Sequence, residues 1–264
     1  MINIMTICVA ALAEENDKEY IVFATDHMVT TNQGQFEHTI VKYKPINDCW
    51  VVAMLSGRAL LFDELVNLED YNSSFDVIKE RIFQNFKKKK EEVIEKEVFE
   101  RLMIDKNFFM DALEKKIPNE FVHNLLKSVY QFNLKTSIML IGFDDGGIAR
   151  ISEINEKGFN DFREINFHAI GSGSDQARNT LLFQKHSDSE KLSTAVYNVY
   201  KAKRNAEVKQ GVGKETELKI LSDGHIHSLS KEKMEILNNV YQKELEYGKN
   251  QQDIKDLCPG GVSK

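Results

Sequence analysis

The 264-residue sequence predicts an α+β fold, a four-layer αββα sandwich in which helices flank two antiparallel sheets. Three observations lead there. Apolar, β-branched runs fill residues 6–57; helical spacing takes over from Arg58; strands return at Thr136 and then alternate with helices. No repeat or low-complexity linker divides the chain, so one domain is expected over residues 1–264.

The elements follow in order. "TICVAAL" and "EYIVFATD", separated by the polar "AEENDK", read as a hairpin. "HTIVKYKPI" and "CWVVAMLSG" form a second pair, joined around Pro45, Asn47 and Asp48. "ALLFDELVNLEDY" has helical spacing at Leu61, Leu65 and Leu68. "SFDVIKERIFQNF" is a further helix, with Ser74 as N-cap and Phe75, Ile78, Ile82, Phe83 and Phe86 on its apolar face. "KKKKEEVIEKEVFERL" continues it, and "NEFVHNLLKSVYQF" forms another helix after Pro118. Lys87 to Lys90 are followed by Glu91, Glu92 and Glu95 at pairing distances, which reads as a solvated face rather than a nucleic-acid patch.

Strands resume at "TSIMLIGFDD" and "IARISEIN" across a "DDGG" turn. "REINFHAIGSGSDQARNTLLFQ" runs from strand through a glycine turn into a helix, and "EKLSTAVYNVYKAKRNAEV" is a second helix. A hairpin, "ETELKILSDGHIHSLS", turns at Asp223 and Gly224; the helix "KEKMEILNNVYQKELEYG" precedes a loose tail over 250–264.

Composition excludes several classes. Apolar residues make up 42% and charged residues 29%, the balance of a globular protein. No apolar run is long enough to cross a bilayer, and the N-terminal stretch lacks the basic start of a secretory signal. Three well-separated cysteines, Cys8, Cys49 and Cys258, fit reduced thiols in the cytoplasm. A net charge of -6 argues against nucleic acid as a partner.

The order of short motifs resembles the β-type subunits of the proteasome and the bacterial proteasome-like threonine peptidases, of the N-terminal nucleophile hydrolase superfamily. The carriers are Thr6 in "MTICV", Asp26 in "IVFATD", Lys42 in "HTIVKYKPI", Gly57 in "VVAMLSG" and Ser172 in "HAIGSGSDQA". Sixteen positions separate Asp26 from Lys42, and fifteen separate Lys42 from Gly57. The resemblance spans Thr6 to Leu221 and is clearest over 6–62 and 167–183; the helical stretch over 72–120 reads as an insertion.

That resemblance implies a threonine endopeptidase acting inside a ring-shaped homo-oligomer on polypeptide substrates, with no cofactor or metal. An ATP-dependent unfoldase partner is compatible with such a chamber, and neither nucleic acid nor membrane is implied. Thr6, exposed by removal of the residues before it, would be the nucleophile. Its own α-amine would act as base, with an ordinary pKa of roughly 7.7–8.0 that suits the task. The Lys42 ammonium would favour the neutral amine, Asp26 would hold Lys42, and Ser172 would bond near the amine. A backbone N–H at the "AMLSG" turn, that of Met54, would meet the oxyanion.

Three departures accompany the match. Met54 stands where the family has glycine, Met5 precedes Thr6 in place of glycine, and no supporting acidic-and-serine pair is evident among Asn205, Glu207, Lys209 and Val212. Met5 suggests an initiator methionine removed by an aminopeptidase rather than self-cleavage. Each residue also has a plain reading: Thr6 as a strand residue, Asp26 as a turn former, Lys42 as a surface lysine, Ser172 as a helix cap. A catalytically inactive scaffold subunit on the same fold and an N-terminal nucleophile amidase are the alternative functions. His225 and His227 share a strand face without matching metal ligands. "GSGSDQ" lacks the lysine of a phosphate-binding loop. Cys8 is expected to be buried rather than nucleophilic.

Overall fold

Strand β2 (Ile7–Glu15) shows why the first strands lack polar alternation. Ile7, Val9, Ala11 and Ala13 face one apolar cluster, while Cys8, Ala10 and Leu12 face another. A strand buried on both faces needs apolar residues at every position. The computed structural model describes residues 3–4, 6–31, 34–37, 41–46, 50–68, 73–115, 120–222 and 224–249.

The smaller sheet joins β2 to β3 (Lys18–Asp26), β11 (Phe167–Gly171), β12 (Thr216–Ser222) and β13 (His225–Ser228), in the order β11-β2-β3-β12-β13. The larger contains β1 (Asn3–Ile4), β4 (Met28–Thr31), β5 (Gly34–Glu37), β6 (Tyr43–Ile46), β7 (Val51–Arg58), β8 (Ser137–Phe143), β9 (Ala149–Asn155) and β10 (Gly158–Asp161). Its order is β10-β9-β8-β7-β1-β4-β5, with β6 also on β7. The pairings are antiparallel, as expected for an α+β chain built from hairpins.

Three apolar clusters hold the sheets and helices together. Between the sheets, Phe23, Leu12 and Ile170 meet Val52, Met54, Met139 and Ile151. On the outer face of the larger sheet, Leu55, Ile138 and Leu140 pack on Leu65 of helix α1 (Phe62–Leu65) and on Phe75, Ile78, Ile82 and Phe86 of α2 (Phe75–Ile94). The smaller sheet's outer face carries α5 (Ser174–Phe183), α6 (Leu192–Ala206) and α7 (Lys231–Lys249), through Ala177, Leu181, Val199, Tyr200 and Tyr241.

Several expectations need correction. The helix read from "ALLFDELVNLEDY" is one 3-10 turn and one short α-turn, because Val66 and Leu68 turn inward as coil. Ser74 occupies the N-cap position of α2 with extended backbone, but its side chain makes no capping bond. Within "KKKK", Lys89 pairs with Glu92 at 3.1 Å as expected, and also with Glu64. Two hairpin pieces, β4–β5 and β10, and helix α3 (Lys106–Glu114) were not anticipated. Residues 38–40 of "HTIVKYKPI", together with Cys49, Cys258, Pro118 and the tail over 250–264, lie outside the described residues. Helices α3 and α4 (Glu120–Gln131) share a separate core of Phe99, Phe109, Ala112, Val122 and Leu125. Among the described residues, no helix is long and apolar enough to cross a membrane.

Candidate active site

Thr6 stands immediately before β2, at the end of the smaller sheet where β3 finishes in Asp26. Cys8 pairs with Thr25 across this hairpin, so Thr6 is brought beside Asp26. Lys42 enters from the coil before β6. All three side chains are buried, at 0%, 0% and 1% exposure. Three polar groups at such depth must satisfy one another.

They do so through Asp26. Its Oδ1 accepts from the Thr6 hydroxyl, from Lys42 Nζ at 2.6 Å and from the Ile7 N–H at 3.2 Å. Lys42 Nζ also donates to Thr6 Oγ1 at 2.8 Å. Asp26 Oδ2 accepts from the Gly213 N–H at 2.6 Å. Burial pulls the Lys42 pKa down, and the Asp26 carboxylate opposes that pull. Cys8, two residues along, is pushed up to about 12 by burial, so its thiol stays protonated. It sits against the Leu55 carbonyl at 3.5 Å.

Ser172 also reaches Thr6, though at a different atom from the one expected. Its hydroxyl donates to the Thr6 carbonyl oxygen at 3.3 Å. Gly171, just before it, has φ +103°, and any Cβ there would run into the same carbonyl. The N-cap of α5 is Gly173, with no side-chain cap, so Ser172 is not its capping residue.

Met54 lies elsewhere. "AMLSG" is strand, not turn: β7 continues to Arg58. Met54 sits opposite Tyr43 of β6 on one side and Met139 of β8 on the other, with its side chain between the sheets. A residue flanked by strands on both sides gives its N–H to the sheet. The open end of β7 is instead at Gly57 and Arg58, and there β1 lies alongside. Ile4 is in register with Gly57, and Asn3 with Arg58 on one side and Thr30 on the other. Residues 3–4 therefore fill a slot between β7 and β4, just upstream of Thr6.

The residues read as the place of a missing supporting pair do not approach Thr6. Glu207 bonds Lys203, Asn205 bonds Thr180 and Tyr241, and Val212 packs into the outer cluster. Sequence reasoning missed Gly213, which bonds Asp26, and Gly171, which lies against the Thr6 carbonyl; "GVG" and the first glycine of "GSG" were the visible signals. His225 and His227 have ring centroids 6.2 Å apart on β13. Among the described residues, no group of three or more His, Cys, Asp or Glu side chains gathers to hold a metal ion.

No protein-family model matches the chain. No curated protein matches it in sequence either. Among solved structures, the chain is similar to a mutant of Anbu from Hyphomicrobium sp. strain MC1, with a TM-score of 0.60. That likeness covers 93% of this chain and 97% of the other at 13% identity. These findings correct the assignment to β-type proteasome subunits and bacterial proteasome-like threonine peptidases: what is shared is a fold. The motifs are few and short, and a likeness at 13% identity reaches the course of the backbone alone.

Proposed function

We propose that this chain hydrolyses amide bonds as a threonine-type peptidase, with Thr6 as nucleophile once the residues before it are removed. The observation that carries the reading is the buried contact of Thr6 Oγ1 with Lys42 Nζ, 2.8 Å, backed by Asp26. A threonine hydroxyl is a weak nucleophile and needs a base beside it. The freed Thr6 α-amine takes the hydroxyl proton as Oγ1 attacks the substrate carbonyl carbon. The proton then passes to the leaving amine, the C–N bond breaks, and water later hydrolyses the acyl ester. Lys42, kept as an ammonium by Asp26, disfavours protonation of the amine. The oxyanion donor belongs to Gly57 at the end of β7, beside which β1 lies, rather than to Met54; the Arg58 N–H is already held by Thr136 Oγ1 at 3.2 Å.

The packing of helix, sheet, sheet and helix supports reading the whole as an αββα sandwich. The same proposal takes polypeptides as substrates, self-association into an enclosing homo-oligomer, and a reducing cytoplasm, consistent with the free, buried Cys8. Sedimentation of the native protein tests the assembly: a monomer removes the enclosing chamber from the reading.

The decisive experiment uses protein whose N-terminus is confirmed by mass as Thr6, assayed on fluorogenic peptides. Hydrolysis that disappears in Thr6→Ala is expected; hydrolysis unchanged in Thr6→Ala overturns the mechanism. A second reading is favoured by β1 itself. Residues 3–4 pair with β7, and Asn3 also with β4, so a chain that keeps them is a non-catalytic subunit on the same fold. The intact mass of protein from its native host separates the two.

A further inference from the structure

Helix α6 carries an ammonium where its pattern calls for an apolar side chain. Lys203 is 0% exposed, between Tyr200 and Ala206 on the face that packs against the smaller sheet. Its Nζ donates to Glu207 Oε1 at 2.8 Å, to the Gly213 carbonyl at 2.8 Å and to the Lys214 carbonyl at 2.9 Å. Three acceptors match the three donors of an ammonium, which is the condition for burying one. Burial lowers the Lys203 pKa; the carboxylates of Glu207 and Asp26 oppose that, and Arg204 adds to it.

The grip falls on one loop. Gly213, whose carbonyl Lys203 holds, gives its N–H to Asp26 Oδ2 at 2.6 Å. Among the described residues, no other donor reaches that oxygen; the other contacts of Asp26 converge on Oδ1. Space there is tight. A Cβ on Gly213 would stand 2.9 Å from Glu37 Oε1, 3.1 Å from Met28 N and 3.2 Å from Asp26 Oδ2. Glu37 in turn accepts from the N–H groups of Lys214 and Glu215, closing the loop against β5.

We propose that Lys203 is a positioning residue: by holding the Gly213 and Lys214 carbonyls it keeps the Gly213 N–H on Asp26, and so fixes the carboxylate that sets Lys42 against Thr6. It touches no reacting atom. This rests on the reading of Thr6 as nucleophile. The strut supports the site from the far side of Asp26, where Asn205, Glu207 and Val212 point elsewhere.

The test uses Lys203→Met. That change leaves Glu207 paired with Arg204, Nε at 3.3 Å, so no carboxylate is orphaned. In protein beginning at Thr6, kcat is expected to fall about 10- to 100-fold with KM unchanged, the scale of a misplaced catalytic group. The alkaline limb of kcat is expected to move to lower pH. Lys42 faces Asp26 from β3, Cys8 from β2 and Glu37 from β5. Loosening Asp26 removes its nearest counter-charge, and a lysine without one loses its proton sooner. A loss of packing alone lowers amplitude without moving the limb. Gly213→Ala, which disturbs the same link and keeps the lysine, is expected to reproduce both effects and stands in if Lys203→Met does not fold.

A second readout does not depend on activity. In the full chain, the Gly213 amide proton, bonded to a carboxylate, is expected far downfield and slow to exchange. In Lys203→Met it is expected to move upfield and exchange faster. A folded Lys203→Met with an unmoved Gly213 amide and an unmoved pH profile overturns the proposal. If the wild-type chain hydrolyses nothing, the reading of Thr6 fails, and the amide measurement alone decides whether Lys203 holds Asp26.

Discussion

Lys42 Nζ lies 2.6 Å from Asp26 Oδ1, and neither side chain reaches solvent. Removing one partner leaves the other charge buried and uncompensated, which costs about 3–5 kcal/mol. Lys42→Met is therefore expected to lower stability by about that amount. Adding Asp26→Asn should cost much less than Asp26→Asn alone, because the charge it removes is already unpaired. Urea unfolding of the two single variants and the double closes the cycle. Additive losses would show that the two side chains do not act as a pair.

Gly171 fixes the other side of Thr6. At φ +103° an alanine is strained, and its Cβ would also meet the Thr6 carbonyl. Gly147 has φ +76° with nothing near a Cβ, so Gly147→Ala measures backbone strain alone, about 1–3 kcal/mol. Gly171→Ala should depress the melting temperature distinctly further. Equal shifts would mean the loop yields and Thr6 is not held by this contact.

Acid sensitivity that sets in as pH falls below about 6.5 should come from His186. Its Nε2 lies 2.8 Å from the Leu12 carbonyl and its Nδ1 3.3 Å from Asn198 Nδ2, a set that fits a neutral ring with the proton on Nε2. Burial lowers its pKa from the usual 6.5. With the folded pKa below the unfolded one, protons bind the unfolded chain first. Stability is full above 6.5 and falls as pH drops below it, until the folded pKa is reached. His186→Gln should flatten the loss of urea midpoint that sets in as pH falls below about 6.5. Glu153, held low chiefly by its bond to His168, acts at lower pH, below its usual 4.5. An unchanged slope in His186→Gln would assign the acid loss to other groups.

What the sequence made legible follows from what each residue must do for itself. Strands β2 and β3 are apolar on both faces, and Asp26 ends one of them, so the hairpin and its acidic terminus were readable. The grouping of Thr6, Asp26 and Lys42 was expected only from the resemblance to a known family, because nothing local to any of the three residues points to the other two. Strand β5, "GQFE", is exposed along its length and carries no apolar pattern to detect. Helix α3 hides in "DKNFFMDALE", where adjacent phenylalanines face opposite ways, Phe109 inward and Phe108 outward. Met54 was misplaced because "AMLSG" reads as a turn when only its glycine is weighed; the β-ladder to Met139 and Tyr43 is set by distant segments. Lys203 shows an overlooked signal. It lies four residues after Val199 and three before Ala206, inside the buried stripe. A lysine there needs buried acceptors, but nothing local says that they belong to the loop at Gly213.

The helical segment beyond α2 should behave as a separate cooperative unit. Phe99 and Phe109, with ring centroids 5.5 Å apart, pack with Ala112, Val122 and Leu125 in a core distinct from the three that hold the sheets. Truncating a buried phenylalanine costs about 3–5 kcal/mol where the surroundings cannot collapse. If α3 and α4 fold as their own unit, Phe109→Ala spends that loss locally, as sub-global opening rather than global unfolding. Hydrogen exchange is then expected to speed up for amides of α3 and α4 while β2, β3 and β8 keep their protection. Thr6 adjoins β2 and Asp26 ends β3, so their contact should survive. Protection that falls in step across β2, β3, α3 and α4 would instead make the segment part of one cooperative core.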